Sequence, residues 1–154
     1  MSDRDLVITR IFDAPRHLVY RAFTDPDQLA QWFGPVGWSV PRDGVDVDNR
    51  PGGHQRFTMV NDADAAQTAL VDAHFTELVE NELIVAEEDM TAMTDFPGDL
   101  LHLRVEFHDE PDGRTRMILT HGPYPGDWVT ESGAGWNSSF TKLDKVLALV
   151  GGDR

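Results

Sequence analysis

The sequence predicts an α+β fold: a curved antiparallel sheet of about seven strands, two short helices after the first strand, and one long C-terminal helix packed over the concave face. Three observations carry this reading. From Trp38 to about Gly122, short β-rich runs alternate with turn clusters at strand-like spacing. The connections between these runs are too short for parallel crossovers, so neighbouring strands pair antiparallel. Near the end, Trp136, Phe140, Leu143, Leu147 and Val150 recur at 4, 3, 4 and 3 residues, a continuous apolar stripe on one helix.

Leu6-Val7-Ile8-Thr9-Arg10-Ile11-Phe12 is β-branched and apolar and reads as the first strand. Asp13-Ala14-Pro15 stops it and starts a helix, with Asp13 as the expected cap and Pro15 in the first turn. Leu18, Val19, Ala22 and Phe23 form that helix's apolar face. Asp25-Pro26-Asp27-Gln28 repeats the signal, with Gln28 placed as in a capping box, and Gly34-Pro35 ends this second helix after Trp32-Phe33.

The expected strands are then Trp38–Val47, Gln55–Val60, Gln67–Leu78, Leu83–Asp89, Leu100–His108 and Thr115–His121. Arg50-Pro51-Gly52-Gly53, Asn61-Asp62-Ala63-Asp64, Glu80-Asn81-Glu82, Asp95-Phe96-Pro97-Gly98 and Asp109-Glu110-Pro111-Asp112-Gly113 separate them. Alternation is clear in several. Leu101, Leu103, Val105 and Phe107 share one face, with His102, Arg104, Glu106 and His108 opposite. Val71, Ala73 and Phe75 do likewise, and His121 continues the inward face of Met117 and Leu119. The last helix is expected over about Ser132 to Val150, stopped by Gly151-Gly152.

Composition excludes several functions. The 154 residues hold 13 Lys+Arg against 27 Asp+Glu, a formal net charge of -14. Nucleic acid and anionic membrane surfaces both demand a basic footprint, so neither is an expected partner. With no cysteine, disulfides, thiolate catalysis and Cys-based zinc sites are ruled out. No apolar run reaches the ~20 residues of a membrane span, and the N-terminus lacks the apolar stretch of a signal peptide. A single domain over residues 1–154, located in the cytoplasm, is the expectation.

One helix, about 10 Å across, cannot fill the concave side of such a sheet. Either bulky side chains complete the core or a pocket remains. The residues expected to line it are Trp32, Phe33, Trp38, Gln55, Phe57, Met59, Phe75, Leu103, Val105, Met117, Leu119, His121, Trp128, Trp136 and Phe140. Gln55 and His121 are its polar groups. Trp32-Phe33 and Trp128 are candidates for a lid, and Gly122-Pro123-Tyr124-Pro125-Gly126-Asp127-Trp128 for a shaped loop at the mouth.

Asp13-Ala14-Pro15 leading into Val19, then Thr24-Asp25-Pro26, Leu29 and Trp32-Phe33-Gly34-Pro35, resembles the opening of the activator of heat-shock protein 90 ATPase homologue family. Arg50-Pro51-Gly52-Gly53, Phe75-Thr76-Glu77-Leu78 and Gly135-Trp136-Asn137-Ser138-Ser139 extend the likeness over roughly residues 6 to 150. The resemblance implies membership of the START-like, helix-grip superfamily, whose sheet grips a C-terminal helix around an apolar cavity. It does not carry over chaperone activation, which in eukaryotic activators involves an additional domain. Gln55 stands where the family often has an inward apolar residue, and Ala73 where glycine is common.

Of six histidines, His17, His54, His74, His102 and His108 read as scattered surface residues, so no metal site is expected and no cofactor is implied. Asp43, Asp46 and Asp48 lack the spacing of a calcium loop. Neither a nucleophile elbow nor a phosphate-cradling glycine loop occurs. The expected function is enclosure of a small apolar molecule by a monomer or homodimer. Two alternatives stand beside it. One is a cyclase- or hydratase-type enzyme drawing acid and base from His121, Glu77 or Tyr124; the other is a protein-interaction module.

Overall fold

The computed structural model describes residues 4–92 and 98–151. The expected break at Asp95-Phe96-Pro97 and the stop at Gly152 lie outside them. The chain runs β1 (Leu6–Phe12), α1 (Arg16–Thr24), α2 (Pro26–Trp32), β2 (Trp38–Ser39), β3 (Asp46–Asp48), β4 (His54–Asn61), β5 (Asp64–Val79), β6 (Leu83–Asp89), β7 (Leu100–Glu110), β8 (Arg114–Gly122) and α3 (Trp128–Gly151). One antiparallel sheet results, in the order β1-β8-β7-β6-β5-β4-β2, with β3 also paired to β4. It curls into a half-barrel around α3, the fold the sequence predicts.

Three local expectations are corrected. The single strand expected over Trp38–Val47 is two short pieces. Trp38 and Ser39 pair with Asn61 and Val60 at one end of β4, and Asp46–Asp48 pair with Arg56, Gln55 and His54 at the other. Between them Pro41, which has no N–H for a ladder, leads into a 3-10 turn at Arg42–Gly44. Next, Pro15 and not Asp13 holds the N-cap position of α1, without a side-chain cap. In contrast, Asp25 caps α2 by accepting the Asp27 N–H, with Pro26 in the first turn; Gln28 adds no second bond there, and its Oε1 has no partner among the described residues. Finally, α3 begins a turn earlier than expected, because the Asp127 carbonyl already accepts from Thr130 N–H at 3.1 Å. Trp128 is therefore the first helical residue and not part of a loop.

Burial follows the alternation read from the sequence. On β8, Thr115, Met117 and Leu119 are wholly buried and His121 is 5% exposed. On β5, a bulge between Phe75 and Glu77 absorbs one residue. After it Leu78 packs against the core and Glu77 faces solvent. The apolar stripe of α3 lies on the sheet as expected, with Phe140 and Leu143 fully buried and Leu147 nearly so. Arg10 ties the edge strand to this helix: its guanidinium donates to the Phe140 carbonyl at 3.1 Å and pairs with Asp144 at 2.8 Å.

Helices α1 and α2 fill one end of the concave face. Phe12, Phe23, Trp32, Phe107 and Phe140 meet there edge-on or tilted. The opposite end, under the first half of α3, is less completely filled.

Candidate functional site

A cavity of about 200 Å³ opens at that end. Its roof is the first half of α3, through Trp128, Ser132, Gly135, Trp136 and Ser139. Its near wall is Phe33-Gly34-Pro35, the turn that leaves α2; Gly34 takes a positive φ of 94° there, which favours glycine. Its floor is the inner face of β4 to β8: Gln55 and Met59, Val71 and Ala73, Glu88, Leu101 and Leu103, and His121. Met90 and Tyr124 close the far end.

Of the residues singled out in the sequence, Phe33, Gln55, Met59, Leu103, His121, Trp128 and Trp136 line this space. Phe57, Phe75, Val105, Met117, Leu119 and Phe140 do not; they are buried in the packed core beneath and beside it. Trp32 is no lid. It is wholly buried, and its indole N–H donates to the Ala22 carbonyl at 2.8 Å, pinning α2 to α1. Trp38 sits on β2, where its backbone carbonyl accepts from Lys142 Nζ at 3.0 Å. The open space thus occupies one end of the concave face, because α1, α2 and the aromatic cluster take the other.

The polar groups gather at the far end. His121 Nε2 lies 2.9 Å from Glu88 Oε1. Its Nδ1 lies 2.6 Å from the Tyr124 hydroxyl and 3.2 Å from Trp136 Nε1. An indole N–H can only donate, so Nδ1 must present a lone pair. The ring proton then sits on Nε2 and is donated to Glu88. Every proton in the chain Tyr124 to His121 to Glu88 consequently points toward the carboxylate. Burial pushes the Tyr124 phenol well above its ordinary 10.0; the bond with Ser132 partly offsets this, and the Glu88 charge adds to it. The phenol is thus a donor and no base. Gln55 is held apart from this group by donating its amide to the Phe23 carbonyl at 2.9 Å.

This arrangement orients better than it reacts. The one basic lone pair of His121 is covered by two donors, which leaves it little freedom to accept a substrate proton. Glu88 was not singled out in the sequence, although its signal is there: it follows Ile84 and Ala86 on the inward parity of β6, so the strand period places a carboxylate inside. His54, His74 and His108 each pair with a nearby carboxylate, Asp46, Asp72 and Glu106 respectively. Among the described residues, no group of three or more His, Asp or Glu is placed to hold a metal ion. Likewise no helix among them is long and apolar enough to cross a membrane.

Fold and cavity together define a helix-grip domain of the START-like kind. Residues 13–148 match the sequence model of the activator of Hsp90 ATPase homolog 1-like proteins, and the chain belongs to that family. Among solved structures it is similar to protein CV1439 of Chromobacterium violaceum, with 24% identity and a TM-score of 0.83 over 95% of this chain and 98% of that one. It is also similar to the AHSA1 protein SPO3351 of Silicibacter pomeroyi, with 29% identity and a TM-score of 0.77 over 94% and 98% of the two chains. Protein Ms6760 of Mycobacterium smegmatis, at 21% identity and a TM-score of 0.75, shares the fold over 96% of this chain and 92% of its own. No curated protein sequence matches the chain significantly.

Proposed function

We propose that the chain acts as one START-like domain of the cytoplasm that encloses a small, largely apolar molecule, as a monomer or homodimer. The observation that carries this reading is the cavity of about 200 Å³, apolar along most of its wall and polar at one end. Pockets of this make-up are the usual form of a small-molecule site. Benzene fits an apolar cavity of about 150 Å³, so this space suits a body of one or two rings. Family membership agrees with ligand binding but names no ligand. The covered lone pair of His121 weighs against the cyclase or hydratase alternative.

The test is a panel of neutral one- and two-ring compounds read by melting temperature and by tryptophan fluorescence, since Trp128 and Trp136 both line the space. Binding should raise the first and shift or quench the second. Leu103→Phe should weaken both responses by occupying the cavity, and because Leu103 borders open space the added ring should cost little overpacking. If no compound moves either signal, the protein-interaction reading takes its place.

A further inference from the structure

Glu88 is the only charged side chain lining the cavity among the described residues, and neither lysine nor arginine lines it. Its partner His121 does not neutralise it. The indole N–H of Trp136, 3.2 Å from Nδ1, fixes the imidazole as the neutral form protonated on Nε2. A carboxylate with a side-chain exposure of 15% is therefore satisfied by a hydrogen bond at Oε1 but not balanced in charge. Glu88 lines the cavity, and a carboxylate bonded through Oε1 has a second oxygen with which to accept from an occupant. Tyr124, Trp128, Trp136 and Phe33 line the same cavity. An aromatic face presented to a cavity attracts a cation. Two positive features lie nearby: the N-terminus of α3, whose first turn carries Glu131, and Arg4, which is engaged by donating to the Tyr124 carbonyl at 2.7 Å.

We infer that the cavity selects protonated amines, an ammonium group set against Glu88 and the neighbouring rings with an apolar body extending toward Met59 and Leu103. This deepens the ligand-binding reading and rests on it. A carboxylate ligand would place like charge against Glu88 in a weakly screened site and is excluded. A neutral alcohol would satisfy Oε2 with one hydrogen bond but would leave the charge unbalanced.

The probes are 2-phenylethylamine, 2-phenylethanol and 3-phenylpropanoate, which share one body and differ in charge at one end. Their affinities are measured at pH 7 by calorimetry and tryptophan fluorescence. The amine should bind at least about tenfold more tightly than the alcohol, and the carboxylate should bind more weakly than both. In Glu88→Gln, which retains an acceptor for the His121 N–H, the amine should fall to the level of the alcohol while the alcohol stays within about twofold of its wild-type affinity. The wild-type ranking needs no variant, so it decides the matter if Glu88→Gln fails to fold. Equal binding of amine and alcohol, preferential binding of the carboxylate, or an amine preference that survives Glu88→Gln overturns the inference and leaves the cavity reading standing. Failure of every probe, together with the neutral panel, overturns both.

Discussion

The indole nitrogen of Trp136 on α3 lies 3.2 Å from Nδ1 of His121 on β8, and this contact sets the protonation pattern of the polar end of the cavity. Both the indole and the Tyr124 hydroxyl aim protons at the same lone pair. A long-range proton–nitrogen NMR spectrum at pH 7 should show His121 as the neutral tautomer, bare at Nδ1 and protonated at Nε2. An imidazolium pattern would remove the donor-only role of Trp136 and with it the uncompensated charge on Glu88.

Thr115 and Ala14 make a second buried link, the threonine hydroxyl donating to the Ala14 carbonyl at 2.7 Å with both residues fully buried. It pins the turn between β1 and α1 to the sheet. Thr115→Val keeps the shape but leaves that carbonyl without its donor. The expected cost is about 1–3 kcal/mol in denaturant unfolding. A change under about 0.5 kcal/mol, the usual range for an exposed site, would mean the turn holds without this bond.

The chain has two tyrosines, and both are held above the ordinary value. Tyr20 is raised by burial and then by the Glu80 charge; for Tyr124 burial again dominates. In each case the folded state binds the phenolic proton more tightly than the unfolded one. Below the unfolded value of about 10 both states are protonated and there is no slope; above it stability falls as pH rises. Native protein at pH 10 should therefore show less tyrosinate absorbance than unfolded protein at the same pH, and unfolding there should raise it. Equal tyrosinate absorbance in folded and unfolded protein at pH 10 would contradict the upward shifts at buried Tyr124 and half-buried Tyr20.

Much of this fold is legible in the sequence because its signals are periodic. The 4-3-4-3 stripe of α3 and the alternation of β7 and β8 each follow from burying one face, and His121 was readable as an inward residue for that reason. What sequence could not supply is how the concave face divides. Phe57, Phe75, Phe140 and Leu103 all point inward, and nothing local says that the first three pack solid while Leu103 borders space. That depends on where α1 and α2 dock, a long-range matter settled by rings such as Trp32 against Phe23. The bulge at Thr76 illustrates the same limit: one extra residue reverses parity, so Glu77 leaves the inner face that simple counting allows it. Glu88 was hidden differently, inside an acidic run that reads as solvated surface until the strand period is applied.

The grip of the sheet on α3 is the last relationship open to a direct test. Phe140 is fully buried, set edge-on against Phe12 at 5.6 Å and stacked on Trp136 at 5.7 Å. Leu149, on the same helix, is 74% exposed. Helix propensity changes little for either on replacement by alanine, so the contrast isolates burial. Phe140→Ala should cost about 3–5 kcal/mol, combining lost transfer energy with the hole left between α2, β1 and α3. Against a net stability of about 5–15 kcal/mol that is a large share, and it should appear as a much lower denaturant midpoint with an unchanged slope. Leu149→Ala should stay within about 0.5 kcal/mol of wild type. Equal effects at the two positions would mean that α3 does not lie in the concave face of the sheet in solution, and the cavity beneath its first half would lose its roof.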